Sequence, residues 1–377
     1  MANSTRLIAF HLPQYHPIPE NDEWWGKGFT EWTNTCKAIP LFHGHQQPKV
    51  PADLGYYDLR LPEARTAQAH LAKTYGIEAF CYYHYWFGGR RLLERPFNEI
   101  LTSAEPDFSF CLCWANESWT GIWHGAPKRL LIEQTYPGED DHRAHFEYLL
   151  TAFRDQRYLT VDGRPMFLIY RAWKIPDVAK VLALWNKLAD EAGIPHPFFV
   201  SVKTPGLDWN PLEHGFEASV TPRMPELRQW ISWREPLTKL RKKWRDWKGM
   251  PTVFDHAKII DSMLSEDTRG GTDYPCVIPN WDNTPRSGKR GLVLAGSTPE
   301  LFRGHLRKAL QLVDTNDPQQ RIVFIKSWNE WAEGNYLEPD QQFGHAYLNV
   351  IKEELSGAIP SEVPRQNSHA KESTGRV

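Results

Sequence analysis

The chain has 377 residues, with 44 Lys plus Arg against 46 Asp plus Glu and a net charge of −2 at neutral pH. That balance leaves no whole-chain field to hold a nucleic acid, and no apolar run is long enough to span a bilayer as a helix. Aromatic residues are the excess, 13% of the chain with 17 Trp. Flat rings suit either a thick core or stacking against the apolar faces of sugars.

Residues 1–5 read as a flexible N-terminus. The opening MANSTRLIAFHLPQ has no basic segment followed by a long apolar one, so no signal peptide and a cytoplasmic location are expected. Eight short β-rich runs then recur, at residues 7–10, 79–83, 108–114, 165–170, 197–202, 217–221, 276–279 and 322–325. Each is apolar at most positions, as expected of strands covered on both faces. Helical patterns lie between them. LPEARTAQAHLAKTYG opens on Pro62 and stops at Gly76. EDDHRAHFEYLLTAFRD and PDVAKVLALWNKLADEAG carry the 3.6-residue apolar stripe. STPELFRGHLRKALQLV begins with Ser297 or Thr298 as cap and Glu300 in a capping box. Strands alternating with helices predict an α/β chain, a single (β/α)8 TIM barrel over residues 6–355. A doubly wound open sheet would alternate too, but its first turn would be Gly-rich, and here it reads HLPQYHPIP.

About fifty residues, 13–59, follow the first run with little regular pattern, and so long a loop in a compact domain is usually functional. After runs two, three, seven and eight come YHYWFGG, WANESWTGIW, NWDN and SWNEWAEGNY. In a barrel all of these open on the C-terminal face. Two segments look peripheral. Residues 228–250 are basic and Trp-rich, either the solvent face of a barrel helix or an inserted loop, or a surface that lies flat on an anionic membrane. Residues 356–377 are polar and Pro-containing and are expected to be disordered. Four of five Cys, at 81, 111, 113 and 276, fall in the strand runs, which suits reduced core thiols. Cys111-x-Cys113 lacks zinc-knuckle spacing and His43-x-His45 lacks a matching carboxylate motif, so no metal and no cofactor are expected.

Glu330 and Glu333, three residues apart after the last strand, are the leading catalytic candidates. They either decorate a helix N-terminus or form a carboxylate pair dried by Trp328 and Trp331. In the second case burial and mutual repulsion would split their pKa values into an acid and a base. The motifs LPQYHPIPENDEWWGKGFTEW, FCYYHYWF, LLERPFNEI, FCLCWANESW, LIEQTY, GRPMFLIYR, NWDNTPR, GSTPELF and WNEWAEGNYLEPD together resemble the WbsX-type proteins of bacterial surface-polysaccharide clusters. These are in turn similar to glycoside hydrolase family 99, the endo-α-mannosidases and endomannanases, and the match runs over residues 6–355. That family's motif reads Asn-Glu-Trp-His-Glu-Gly, its first Glu a base on the sugar 2-hydroxyl and its second an acid on the leaving oxygen. The resemblance therefore implies Glu330 as base and Glu333 as acid. Ala332 stands where the family has His, so one substrate contact is expected to be missing.

Such a mechanism needs the 2-oxygen and the leaving group on opposite faces of the ring. An α-mannoside or α-rhamnoside satisfies this; an α-glucoside does not. The expected activity is retaining hydrolysis of such a linkage in a surface oligo- or polysaccharide. The first alternative is a glycosyltransferase of O-antigen assembly working through the same carboxylates. The second is a barrel that binds glycan without catalysis. Further substrate-binding candidates are His11, Tyr15, Trp25, Glu31, Tyr83, His84, Trp86, Trp114, Asn116, Glu117, Trp119, Tyr170, Trp281, Asp282, Trp328, Asn329, Tyr336 and Glu338. The alternative for the polar ones is satisfaction of local backbone groups, and for the Trp residues a place in the core wall.

Overall fold

The computed structural model describes residues 5–121, 130–224, 249–264 and 272–357. Eight parallel strands make the barrel: β1 (Arg6–His11), β2 (Ala79–Phe87), β3 (Ser109–Trp114), β4 (Arg164–Ile169), β5 (Phe198–Val202), β6 (Ala218–Thr221), β7 (Asp273–Val277) and β8 (Ile322–Ile325). Each pairs with the next in sequence, and β8 returns to β1 through Ala9 opposite Ile325, which closes the ring. All eight overlap the runs expected from sequence, because a strand buried on both faces leaves an uninterrupted apolar signal, although β7 starts three residues earlier than its run and shares only Cys276 and Val277 with it.

Among the described residues the outer layer holds α1 (Pro62–Thr74), α2 (Arg95–Ser103), α3 (Glu139–Phe153), α4 (Val178–Ala192), α5 (Pro299–Val313) and α6 (Ala346–Ser356). Four of these were expected; α2 and α6 were not. The stripe of α4 shows the rule at work. Val178, Val181, Leu182, Trp185 and Ala189 are buried, and Trp185 meets Phe167 of β4 and Phe199 of β5. α5 is capped by Thr298, whose side chain accepts from the Leu301 amide, while Glu300 pairs with Arg303 instead of closing a capping box. Between β5 and β6 stands one 3-10 turn, Pro211–His214, in place of a helix.

Alternation along each strand sorts side chains between barrel interior and helix layer. Inside, Phe10 stacks on Tyr83 at 5.5 Å and lies 5.5 Å from Phe324. Cys81, Cys111, Cys113 and Cys276 are buried free thiols, and burial pushes Cys276 up to about 12, which keeps it unreactive. The fifty-residue loop after β1 contains two short helices, Pro19–Trp25 and Glu31–Cys36, and runs beneath the β8 loop. A small parallel sheet, Thr252–Asp255 with Leu292–Ala295, flanks the loop after β7. Residues 225–248, nearly all of the basic Trp-rich segment, lie outside the described residues, as do 1–4 and the tail 358–377. No described helix is long and apolar enough to cross a membrane.

Candidate active site

The centre of the C-terminal face is assembled from β8 and its loop. The alternation that turns Phe324 inward turns Lys326 inward too, two positions on. Its ammonium donates to Glu330 at 2.7 Å and to the Tyr83 hydroxyl at 3.1 Å, and lies 4.0 Å from Glu333. Ser327 adds a 3.0 Å hydrogen bond to the same Glu330 oxygen. Asn329–Glu330 pairs with Asn335–Tyr336 as a two-rung ribbon, and the 3-10 turn Trp331–Glu333 between them turns Glu333 back toward Glu330. Glu333 then accepts from Arg286 at 2.6 Å, and Arg286 also donates to Glu31 at 2.8 Å.

Three carboxyls, Glu31, Glu330 and Glu333, thus surround two cations, Lys326 and Arg286. With every carboxyl ionised the cluster carries one negative charge too many, and a single proton makes it neutral. Burial, then the charge of Glu330, pushes Glu333 up to about 7. Burial acts upward on Glu330 too, but the charges of Lys326 and Arg286 outweigh it and hold Glu330 below the usual carboxylate range. Each carboxyl acts on the other: the charge of Glu330 raises Glu333, and Glu333 beside it helps to lower Glu330. Glu330 is 4% and Glu333 7% exposed, so both work in a largely water-excluded site.

Tyr83, Tyr170, Trp281 and Glu31 gather around this pair. Tyr170 meets Tyr83 edge-on at 6.2 Å. Trp281 faces the Lys326 ammonium at 5.9 Å. Trp119 packs edge-on against Tyr85 at 5.0 Å, and Tyr85 senses the Glu330 charge. Glu117 sits farther out, paired to Arg171 at 2.8 Å and 39% exposed in its side chain. Asn116 clamps the Arg171 backbone, accepting from its amide at 2.7 Å and donating to its carbonyl at 2.9 Å. Trp25 is half-buried beside Phe29.

Other candidates face elsewhere. His11, His84, Trp86, Trp114 and Trp328 point into the helix layer, away from the carboxyls. His11 contacts Gln68 of α1 at 3.2 Å, and His84 contacts His145 of α3 at 2.8 Å. Trp86 stacks on His145 and donates to Asp141. Trp114 lies between His145 and Trp185, and Trp328 lies against Phe80. The cause is the two-residue period: neighbours of Tyr83 and Tyr85 on β2 must take the opposite face.

A third group supports the loop from below. Tyr15 donates to the Asn329 carbonyl and accepts from the Trp331 amide. Asn329 bonds both backbone groups of Leu12. Tyr336 stacks on Trp331 at 3.8 Å and donates to Asp340. Glu338 accepts from Gln68, Trp331 and Tyr57 at 2.6, 2.6 and 2.9 Å. Asp282 anchors the β7 loop, accepting from His45 and Gln47 at 2.7 Å each and from the Thr284 hydroxyl at 2.6 Å. Gly334, at φ +57°, passes so close to Asp282 that an added Cβ would lie 2.8 Å from its amide nitrogen.

Lys326 and Arg286 were not singled out from sequence. Their signals are visible in hindsight: a lone Lys closing an apolar strand immediately before the carboxylates, and the Arg that ends NWDNTPR. Among the described residues no group of three His, Cys, Asp or Glu is arranged to hold a metal ion.

Two solved structures share the architecture. One, described as a glycoside hydrolase-like protein, superposes with a TM-score of 0.58 at 14% identity, covering 93% of this chain and 94% of its own. The other is the family 99 endo-alpha-mannosidase of Bacteroides thetaiotaomicron, at a TM-score of 0.52, 15% identity and 94% and 97% coverage. At those identities the likeness is one of fold. Two proteins named WxcX from Xanthomonas campestris pv. campestris, strains B100 and ATCC 33913, are each 40% identical over 355 residues, 93% of this chain. The chain spans about half the length of these relatives. The family described as Glycosyltransferase WbsX matches residues 7–351, essentially the whole barrel, and the chain belongs to that family.

Proposed function

We propose that the chain is a retaining glycan-processing enzyme in which Glu330 is the general base and Glu333 the general acid. The observation that carries this is the split of the pair, with Glu330 held ionised by Lys326 and Arg286 while Glu333 keeps its proton up to about 7. Cleaving a glycosidic bond near neutral pH requires one group of each kind at one centre. In this reading Glu330 takes the proton of the sugar 2-hydroxyl, and the 2-oxygen bonds to its own anomeric carbon. The bond to the leaving oxygen breaks as that oxygen takes the proton of Glu333. An incoming hydroxyl then reopens the small ring, losing its proton to Glu333, while Glu330 returns a proton to the 2-oxygen.

Two features support this over a carboxylate nucleophile. Both acids come from one loop, and one ammonium, that of Lys326, lies 2.7 Å from Glu330 and 4.0 Å from Glu333, whereas the carboxyls of a pair that forms a glycosyl-enzyme stand about 5–5.5 Å apart across the bond, usually on different strands. The 2-oxygen attacks from the face opposite the leaving group, so the substrate is α-manno- or α-rhamno-configured, within a bacterial surface polysaccharide. The family's description favours a second reading, transfer to a sugar hydroxyl through the same site. Wild type and Glu333→Gln are to be incubated with α-manno- and α-rhamno-oligosaccharides, with and without excess acceptor, and read by mass spectrometry. Shorter products lost in the variant mean hydrolysis; longer products that require acceptor mean transfer. Cleavage of an α-glucoside at a comparable rate sinks the neighbouring-group scheme.

A further inference from the structure

A cavity opens on the same face, at the ends of β5 and β6. Its volume is about 180 Å³, more than ten times the roughly 10–15 Å³ that one water needs. Lys203 and Arg223 supply its charge, Thr204 and Thr221 its hydroxyls, and Trp173 and Trp209 its flat apolar walls.

The charges are unevenly satisfied. Lys203 lies 3.5 Å from Asp273, but that carboxylate is already engaged by the Ser219 and Thr221 hydroxyls at 2.9 and 3.0 Å. Arg223 makes no hydrogen bond or ion pair among the described residues, and its Nε is buried without a partner. A guanidinium beside a cavity with a buried donor left over is a group built to meet an anion. Trp173, 39% exposed, presents a ring that is not consumed by the core.

The cavity connects to the acid pair through contacts in series. Lys326 bonds Tyr83, Tyr83 meets Tyr170, the Arg171 guanidinium lies 4.8 Å over the Tyr170 ring, and Arg171 donates to Thr204 at the cavity wall. These contacts tie the cavity wall to the surroundings of the acid pair through Tyr170 and Arg171.

We infer that this cavity is a subsite for an anionic group, a carboxylate or a phosphate, carried by the glycan that the acid pair processes. The nature of that glycan rests on the function proposed above. Two rings to hold a sugar and two cations to hold its charge suit an acidic sugar, and equally the diphosphate of an activated donor.

Isothermal titration calorimetry on the full chain separates these sources and does not depend on turnover. Sodium glucuronate and sodium pyrophosphate are the probes, with neutral glucose as control. Wild type is expected to bind at least one anion in preference to glucose, Arg223→Gln to weaken that binding roughly tenfold or more, and Lys203→Gln to weaken it less. Binding of glucuronate alone assigns an acidic sugar, and binding of pyrophosphate alone assigns a phosphate-linked donor. No binding of either anion overturns the subsite, as does unchanged affinity in an Arg223→Gln protein that melts like wild type. If Arg223→Gln does not fold, unchanged affinity in Lys203→Gln overturns it. Glu333→Gln is expected to bind the anions as wild type does, so failure of the acid–base reading and failure of the subsite remain distinct results.

Discussion

Glu333 and Glu338 lie five residues apart on one loop, both buried, and burial pushes each up to about 7. Their surroundings differ in kind. Glu338 is met by three neutral donors, from Tyr57, Gln68 and Trp331, each fixed in the packing beneath the loop. Glu333 is met by charges: Arg286 at 2.6 Å, Lys326 at 4.0 Å and the neighbouring Glu330. A raised pKa therefore does not by itself mark a catalytic acid, since burial alone produces one. What sets Glu333 apart is a partner carboxylate displaced in the opposite direction, so that a proton can be given and taken at one place.

Removing acid–base function while keeping shape has the largest expected effect. Glu330→Gln and Glu333→Gln are each expected to lower kcat by about 10²–10⁴-fold, with melting temperatures near wild type, measured on whichever oligosaccharide the substrate panel identifies. The next effect is on stability. Arg286→Met strands Glu31 and Glu333 in a dry site and is expected to cost about 3–5 kcal/mol by chemical denaturation. In a Glu333→Gln background the loss should be smaller, because one of the two stranded carboxylates is gone. Glu338→Met tests the other half of the comparison. Its three donors lose their acceptor, at roughly 1–3 kcal/mol for each that finds no replacement. The folded fraction is expected to keep kcat within about tenfold of wild type, less than acid–base removal costs.

The smallest effect is in the pH profile. The proposed mechanism needs Glu333 protonated and Glu330 ionised. The rate should therefore fall as pH rises through about 7, where Glu333 loses its proton, and fall on the acid side only below the usual carboxylate range. Lys326 lowers both groups, so Lys326→Met should move both limbs upward. A profile that moves on one limb only would show that Lys326 serves one of the two carboxyls. The stability sign follows the same logic. A carboxyl whose folded pKa is raised binds its proton more tightly in the native state, so Glu333 and Glu338 both make the protein less stable as pH climbs from about 4.5 to about 7.

The barrel was legible because each strand writes its burial on both faces directly into the sequence, and the carboxyls were legible because acids do not belong among Trp and Tyr without a reason. The grouping around them was less so. Alternation on β2 decides that Tyr83 faces Lys326 while His84 faces His145, and a one-residue error in register would exchange them. Glu31 and Arg286 meet across 255 residues, a distance no local pattern encodes. Trp328 and Trp114 look like sugar platforms in a motif, but a large ring at a strand end satisfies a helix layer equally well. The Arg223 cavity went unnoticed because its residues are scattered over three loops with no shared motif.

The close passage of Gly334 against Asp282 has a consequence for transplanting this site. The β8 loop carries both proposed catalytic groups, yet at Gly334 its path depends on lying against a residue of the β7 loop, which is in turn held by His45 and Gln47 from the loop after β1. These three segments are a single interlocked part. Grafting WNEWAEGNY alone onto another barrel would move the reagents without the mould that sets their spacing, and sequence changes in any one of the three loops are tolerated only when the other two accommodate them.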